Sequence, residues 1–316
     1  MIRYVFKRIL MFVPVMIAVA IVIFTILYFV PGDPVSQIAG DKATELQKEE
    51  LREALGFKDP YVVQLGRYLK SVFLEFDFGS SYITNVNITD ELMVRLPRTL
   101  KLGLLTWLFT IVAGIPLGVV AGVNQNRLGD RISMLIALFG VSMPQFWVGL
   151  MLVLLFSLHL GVLPSSGMGG IKYLILPVIA GSLGDLAQNA RQTRSAMLEV
   201  IRSDYVITAK AKGLSQRKVI WKHALPNALI PVIATCGDCL AHCFAGSVVI
   251  ETVFAYPGIG LYMVKAVGAR DYPIVEGCVL MLAISCAAVM LLVDLVYGFI
   301  DPKIKARYVV KKGRKS

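Results

Sequence analysis

A chain of 316 residues in which 56% are hydrophobic and 17% charged carries too little polar surface for water alone to solvate it, which excludes an ordinary soluble globular domain. Its formal charge of +11 sits in short loops and near the C-terminus, where topology and anionic lipid account for it, so nucleic acid is not the expected partner. The five cysteines, Cys236, Cys239, Cys243, Cys278 and Cys286, lie in or beside apolar runs and none in the long polar loop, which argues against a disulfide scaffold.

The first apolar run, Ile9 to Val30, has about 22 residues, enough to cross roughly 30 Å of hydrocarbon. It is too long for a signal-peptide core, and no small-residue cleavage site follows it. A mildly acidic loop, residues 31–99, comes next; within it Thr44 to Leu55 has the spacing of a small amphipathic helix. Asn87-Ile88-Thr89 matches a glycosylation sequon, a pattern too short to carry weight.

Further apolar runs cover Leu100 to Val123, Ile132 to Leu160, Tyr173 to Leu186, Ala228 to Val253 and Ile274 to Ile300. The third run is long because Pro144 can kink it, and the fourth is weak because Asp185, Gln188 and Asn189 interrupt it. The expectation is an all-α polytopic membrane protein with about six spans. It divides into a first segment and span (1–30), an external loop region (31–99), a transmembrane core (100–300) and a basic tail (301–316).

Positive charge sets the orientation. Arg3, Lys7 and Arg8 precede span one, Arg127 and Arg131 join spans two and three, and a basic segment joins spans four and five. Lys303, Lys305, Arg307, Lys311, Lys312, Arg314 and Lys315 follow span six on the same side, so both termini are expected in the cytoplasm.

That basic segment lies within residues 191–227. Asp204 to Ser215 forms a turn of helix with small residues, Gly213 breaks it, and Leu225-Pro226 precedes the next apolar run. Two short helices bent across each other are expected, an elbow suited to docking into a partner. Ala209 and Gly213 would keep one helical face thin enough for a groove, while Lys210, Lys212, Arg217 and Lys218 stay solvated or meet acidic residues of that partner.

No G-x-x-x-x-G-K-[ST] loop cradles phosphate anywhere in the sequence, and His159, His223 and His242 are not set beside a nucleophile. The chain is therefore not expected to be an enzyme or to bind a cofactor of its own. Polar groups inside spans are expensive and usually line a cavity or pair with one another. Asp185 and Asn189 in span four, Asp238 and His242 in span five, and Asp294 in span six are such groups, and Asp185 and Asp238 could hold a cationic part of a solute. At about 100° per residue Cys236, Cys239 and Cys243 fall in one stripe of span five with His242 at its flank. The stripe could pass a soft or borderline metal ion, or serve close helix packing with small residues.

Several motifs recur in order along nearly the whole chain. They are Pro31-Gly32-Asp33-Pro34, Leu55 to Tyr61, Phe76-Asp77-Phe78-Gly79-Ser80-Ser81, Leu96-Pro97-Arg98-Thr99-Leu100, Ser142 to Trp147 and Leu163 to Gly167. Glu251 to Gly260, Arg270-Asp271-Tyr272-Pro273 and Asp294 to Tyr297 leading to Asp301-Pro302-Lys303 close the series. Together they resemble the first permease of the dipeptide, oligopeptide and nickel importers of the ATP-binding-cassette (ABC) class, and the elbow resembles that class's cytoplasmic EAA loop. One departure is that Ile207 and Thr208 stand where the general pattern has Glu and Ala ahead of Ala209.

The resemblance implies a type I importer permease fold in the inner membrane of a prokaryote. Tyr205, Ala209, Lys210, Gly213, Leu214, Arg217, Leu225 and Pro226 would form its ATPase-coupling loop. The implied partners are a second, similar permease, two ATPase subunits that hold ATP and Mg, and an extracytoplasmic solute-binding protein. Import of short peptides is the expected function, with nickel or a metal chelate as the alternative within the family. A receptor or anchor that moves no solute is the alternative outside it.

Overall fold

A computed structural model describes residues 2–30, 34–40 and 43–300, excepting the side chains of residues 2–9, 34, 37, 294 and 296–300. Pro31 to Asp33, the side chains of Arg3, Lys7, Arg8 and Asp294, and the basic tail from Asp301 lie outside the described residues. Among those described, every regular element is helical, with one isolated antiparallel bridge between Ser80 and Asn87.

In chain order the helices begin with α1 (Ile2–Phe29), α2 (Pro34–Ala39), α3 (Glu45–Ala54), α4 (Tyr61–Lys70) and α5 (Ile88–Val123). The chain continues through α6 (Leu128–Ser142), α7 (Gln145–Leu152), α8 (Lys172–Ile201), α9 (Asp204–Ala211) and α10 (Gln216–Lys218). It closes with α11 (Leu225–Ala245), α12 (Ser247–Val253), α13 (Ile259–Ala269) and α14 (Tyr272–Ile300). The amphipathic helix expected at Thr44 to Leu55 is α3. Its start is a capping box, in which the Thr44 hydroxyl accepts from the Gln47 amide and the Gln47 side chain accepts from the Thr44 amide.

Among the described residues, four helical stretches can cross a membrane by length and apolarity, and a fifth can if α6 and the helix from Gln145 to His159 count as one span. The expected third span is not a gentle kink. Its two halves meet at 108° at Met143-Pro144, because Met143 is extended ahead of the proline and Pro144 opens a new helix. The weak fourth run belongs to α8, whose 30 residues extend roughly 45 Å but are too polar over their second half to qualify by composition. The expected fifth run is divided at Gly246 into α11 and α12.

The chain falls into two compact units. One holds residues 2–99 and Pro257–Ala287; the other holds Leu100–Tyr256 and continues from Ala288. One division of the two units thus falls after Thr99, and Pro257–Ala287 packs with the N-terminal residues.

The core of the N-terminal unit joins Ile88 and Leu92 of α5 to Ile259 and Ala266 of α13 and to Ile274, Val275, Cys278 and Met281 of α14. Hydrogen bonds then fix its loops. The buried Ser81 hydroxyl donates to Asp271 Oδ2 at 2.5 Å, and the Tyr82 amide donates to Asp271 Oδ1 at 3.2 Å. Thr99 Oγ1 accepts from the Ile259 amide at the start of α13, and Arg98 donates to the Pro257 carbonyl at 3.2 Å. Residues of separate motifs thus meet across roughly 160 to 190 positions of chain.

In the other unit α8 is the central helix, packed by α6, α7, α11 and α12. The approach of α5 to α8 is made by glycine: a Cβ at Gly118 would lie 2.5 Å from the Ala190 carbonyl oxygen, and Gly114 and Gly122 face α8 one turn to either side. A bidentate pair between Arg194 of α8 and the buried Asp130 at the start of α6, at 2.6 and 2.8 Å, holds two helix ends together.

The Asp271 contacts generate a prediction. Asp271→Ala leaves the buried Ser81 hydroxyl and the Tyr82 amide without acceptors, and is expected to cost about 1–3 kcal/mol. Limited proteolysis in detergent should then cut within residues 71–87 faster in the variant than in wild type, while Asp90→Ala on the exposed start of α5 leaves the cleavage rate unchanged.

Candidate functional site

The basic elbow is built as a helix, a turn and a second helix. Helix α9 ends at Ala211, and the chain reverses through Lys212, Gly213 and Leu214 before α10 begins at Gln216. Gly213 has φ of +78°, a conformation side-chain-bearing residues adopt only with strain, and its amide donates to the Lys210 carbonyl at 3.0 Å. The sequence therefore places the break correctly and for the right stereochemical reason.

The second of the two expected short helices is not a separate one. Gln216 to Ala245 is continuous helix, so the elbow's second arm runs directly into α11. Its turns widen over Val219–Ala224, where the Leu225 amide bonds back to the Ile220 carbonyl, and Pro226, which has no amide hydrogen to donate, follows directly on this widened stretch.

The two faces of the elbow differ in chemistry. Val206 and Ala209 of α9 turn inward with Val219, Ala224 and Leu225, forming a core with Met197, Ala228 and Val232. The small side chain of Ala209 thus serves packing within this chain, and it does not thin an outer face. Outward stand Tyr205, Ile207, Leu214, Pro226 and Trp221, the last 59% exposed, among the exposed Lys210, Lys212, Arg217 and Lys218. An exposed indole and phenol ringed by cations is the composition of a protein contact. Sequence reasoning passed over Trp221, although an aromatic inside a basic segment is a readable signal of such a contact.

A second cluster lies between α8 and α11. Asp185 and Asn189 of α8 are buried, and they meet the stripe of thiols. Asn189 Nδ2 donates to Cys239 Sγ at 3.2 Å, and the Cys236 thiol points to Asn189 Oδ1 at 3.4 Å. The Cys243 thiol points to Asp185 Oδ2 at 3.6 Å, and His242 Nδ1 stands 3.4 Å from Asp185 Oδ1. All three thiols are thus engaged along α8, and no group of three or more His, Cys, Asp and Glu side chains is arranged to hold a metal ion among the described residues. Trp107 of α5 adds a bond to the Cys236 carbonyl at 2.7 Å.

Asp238 is set apart from this seam. It is exposed although Gly237 and Cys239 on either side are buried, and the side chain of His242 is 66% exposed while still reaching Asp185. Of the four polar pathway residues read from sequence, the structure brings Asp185, Asn189 and His242 together and leaves Asp238 on another face.

A bundle of long apolar helices, with an exposed basic-aromatic elbow on one connection and acids kept inside its spans, defines a multi-pass membrane protein of the transporter type. The description "Binding-protein-dependent transport system inner membrane component" matches residues 114–306, and its N-terminal counterpart matches residues 1–103. The chain belongs to this family, and it is the permease subunit of an ABC importer. In this family ATP hydrolysis lies in separate subunits.

Among relatives, the dipeptide transport system permease protein DppB of Alkalihalophilus pseudofirmus is 40% identical over 96% of this chain and 100% of its own. The glutathione transport system permease protein GsiC of Salmonella paratyphi A is 36% identical over 96% and 99%. Inward-facing structures of the MetNI methionine ABC transporter share the fold, with a TM-score of 0.57 at 17% identity over 67% of this chain and 96% of that one. An amino acid ABC transporter crystallised with histidines gives a TM-score of 0.54 at 13% identity over 67% and 95%.

The turn geometry separates two substitutions. Gly213→Pro removes the donor to Lys210 and demands φ near −65°, a local cost of about 3 kcal/mol or more. Gly213→Ala meets open space and keeps the donor, so it costs about 1–2 kcal/mol. Affinity purification of the membrane complex should recover ATPase with the alanine variant and little or none with the proline variant, both chains being inserted at wild-type levels. Full ATPase recovery with Gly213→Pro contradicts docking through this turn.

Proposed function

We propose that this permease pairs with a second, similar permease, that two ATPase subunits engage the two elbows, and that a solute-binding protein delivers short peptides to the external mouth. The observation that carries the docking step is the outward face of the elbow, where Tyr205, Leu214 and Trp221 stand exposed among cations. An isolated apolar-aromatic face of this kind is stabilised by a partner that covers it. Because the elbow's second arm continues as α11, displacement of the elbow by an ATPase reaches the span that carries Asp238 without passing through a flexible joint.

Peptide is the preferred cargo because the relatives named above transport a dipeptide and glutathione, both solutes with charged ends. Asp238 fits a role at the pathway or at the second permease: a charged group in a span is costly against lipid, so its exposed position favours water or protein beside it. The thiols' engagement with α8 argues for helix packing over metal passage, and the peptide reading accordingly stands ahead of nickel. The charge asymmetry of the loops supports cytoplasmic termini, and the family description supports the inner membrane as the location. Transport then follows from two packings of similar free energy that nucleotide binding and hydrolysis favour in turn.

The test is uptake into proteoliposomes containing the assembled complex with its binding protein. Labelled dipeptide should accumulate only with ATP inside the ATPase-facing compartment, and Asp238→Asn should lower that uptake at least tenfold with ATPase recovery unchanged. Accumulation of nickel without dipeptide overturns the cargo assignment, and accumulation of neither overturns transport itself.

A further inference from the structure

The N-terminal unit contains a cavity of about 600 Å³, a size typical of small-molecule sites. It opens between the end of α1, the α3–α4 region, the loop around Asp77 to Tyr82 and the first turn of α14. Neither the docking elbow nor the α8–α11 seam involves it. Aromatic rings form much of its wall: Phe24 stacks on Tyr68 with centroids 5.3 Å apart, Tyr28 lies near Phe24, and Phe57 meets Tyr82 edge-on at 5.7 Å.

The charged groups on this wall are almost all committed. Arg52 pairs with Glu49, Arg67 pairs with Asp59, and Asp77 Oδ1 accepts from the Gly79 amide and the Thr89 hydroxyl. Glu276 is the exception. It stands in the second turn of α14, lines the cavity, and has neither hydrogen bond nor ion pair among the described residues. Tyr68, on the same wall, keeps a buried hydroxyl without a partner. Sequence reasoning did not single out Glu276, since its neighbours along the chain read as an ordinary apolar run.

A carboxylate and a phenol left unsatisfied in an aromatic-walled cavity are complementary to one kind of ligand. The carboxylate calls for a positive charge that donates hydrogen bonds, the aromatic faces stabilise such a charge, and the volume admits an organic molecule far larger than a bare ion. A divalent metal ion would need several oxygen, nitrogen or sulfur ligands, and no suitable group of acidic, His or Cys side chains exists among the described residues. Arg52 and Arg67 also line the cavity and, though paired, place positive charge on its wall, which suits a molecule that also carries an acidic end.

From these features we infer that the cavity is a binding site for the primary ammonium group of a zwitterionic small molecule, held by Glu276 with Tyr68 as a further hydrogen-bond partner. Two sources present this chemistry: the free amino end of a short peptide or amino acid in solution, and the ethanolamine headgroup of a lipid. The inference does not depend on which solute the complex imports, since occupancy is read without ATP and without the solute-binding protein.

The assembled complex is placed in nanodiscs of phosphatidylglycerol and titrated with dialanine and with N-acetyl-dialanine. In parallel, native mass spectrometry counts phosphatidylethanolamine retained by complex purified from mixed lipid. For a soluble ligand, dialanine binds saturably, acetylation weakens it at least tenfold, and Glu276→Gln does the same, while Glu276→Asp stays within about threefold of wild type. For a lipid ligand, one retained phosphatidylethanolamine is lost in Glu276→Gln and kept in Glu276→Asp. Subunit recovery and thermal melting of each variant establish that the fold is intact. If Glu276→Gln leaves both dialanine binding and phosphatidylethanolamine retention as in wild type, or if neither ligand binds wild type, the site assignment is overturned.

Discussion

Helix α8 cannot face lipid, and much of the second unit follows from that constraint. It carries Asp185 and Asn189 on buried positions and Arg194 further along, groups whose transfer into hydrocarbon without partners costs several kcal/mol. Surrounding helices meet the demand one group at a time. Asp185 and Asn189 are met by the thiols and His242 of α11, and Arg194 is met by Asp130 of α6. The glycines of α5 bring that helix close enough for backbone contact on another side. Sulfur suits this seam because a thiol is small, tolerates burial and still offers a weak donor.

The elbow inherits its rigidity from the same arrangement. Its inner face shares a core with the last turns of α8 and the first turns of α11, so Val206 and Ala209 anchor its outward face to the helices that carry Asp185 and Asp238. A load applied at Trp221 or Leu214 therefore acts on a packed body. The N-terminal unit solves a different problem with different means: its long loops have little core of their own, and a few side-chain bonds such as Ser81 to Asp271 and Thr99 to the Ile259 amide tie them to α13 and α14.

Much of this was legible in the sequence, and the parts that were not have physical reasons. Apolar run lengths located the long helices, and the Gly213 turn was readable because a positive φ leaves few alternatives to glycine. The inward position of Ala209 was not, because a small residue reads the same whether it admits a partner's groove or a neighbouring helix of its own chain. The second short helix expected ahead of Leu225-Pro226 is instead continuous with α11, because widened turns just before Pro226 carry the helix past it, and the kink expected at Pro144 is a true break because Met143 is extended. Grouping Pro257–Ala287 with the N-terminal unit required knowing that Asp271 bonds to Ser81, a pairing across 190 residues that no local pattern encodes. The sequence marks the polar pathway candidates as costly, yet only three-dimensional packing separates the satisfied Asp185 from the outward Asp238.

On this proposal the ATPase subunit acts at the outward face of the elbow. Its most direct test is a photo-crosslinking amino acid placed in turn at positions 214, 221 and 209 of the chain within the assembled complex. Positions 214 and 221 should capture the ATPase subunit, position 209 should not because it points into the chain's own core, and the captured complex should lose ATP-driven uptake. Capture at 209 with none at 214 or 221, in a complex that still transports, contradicts the account.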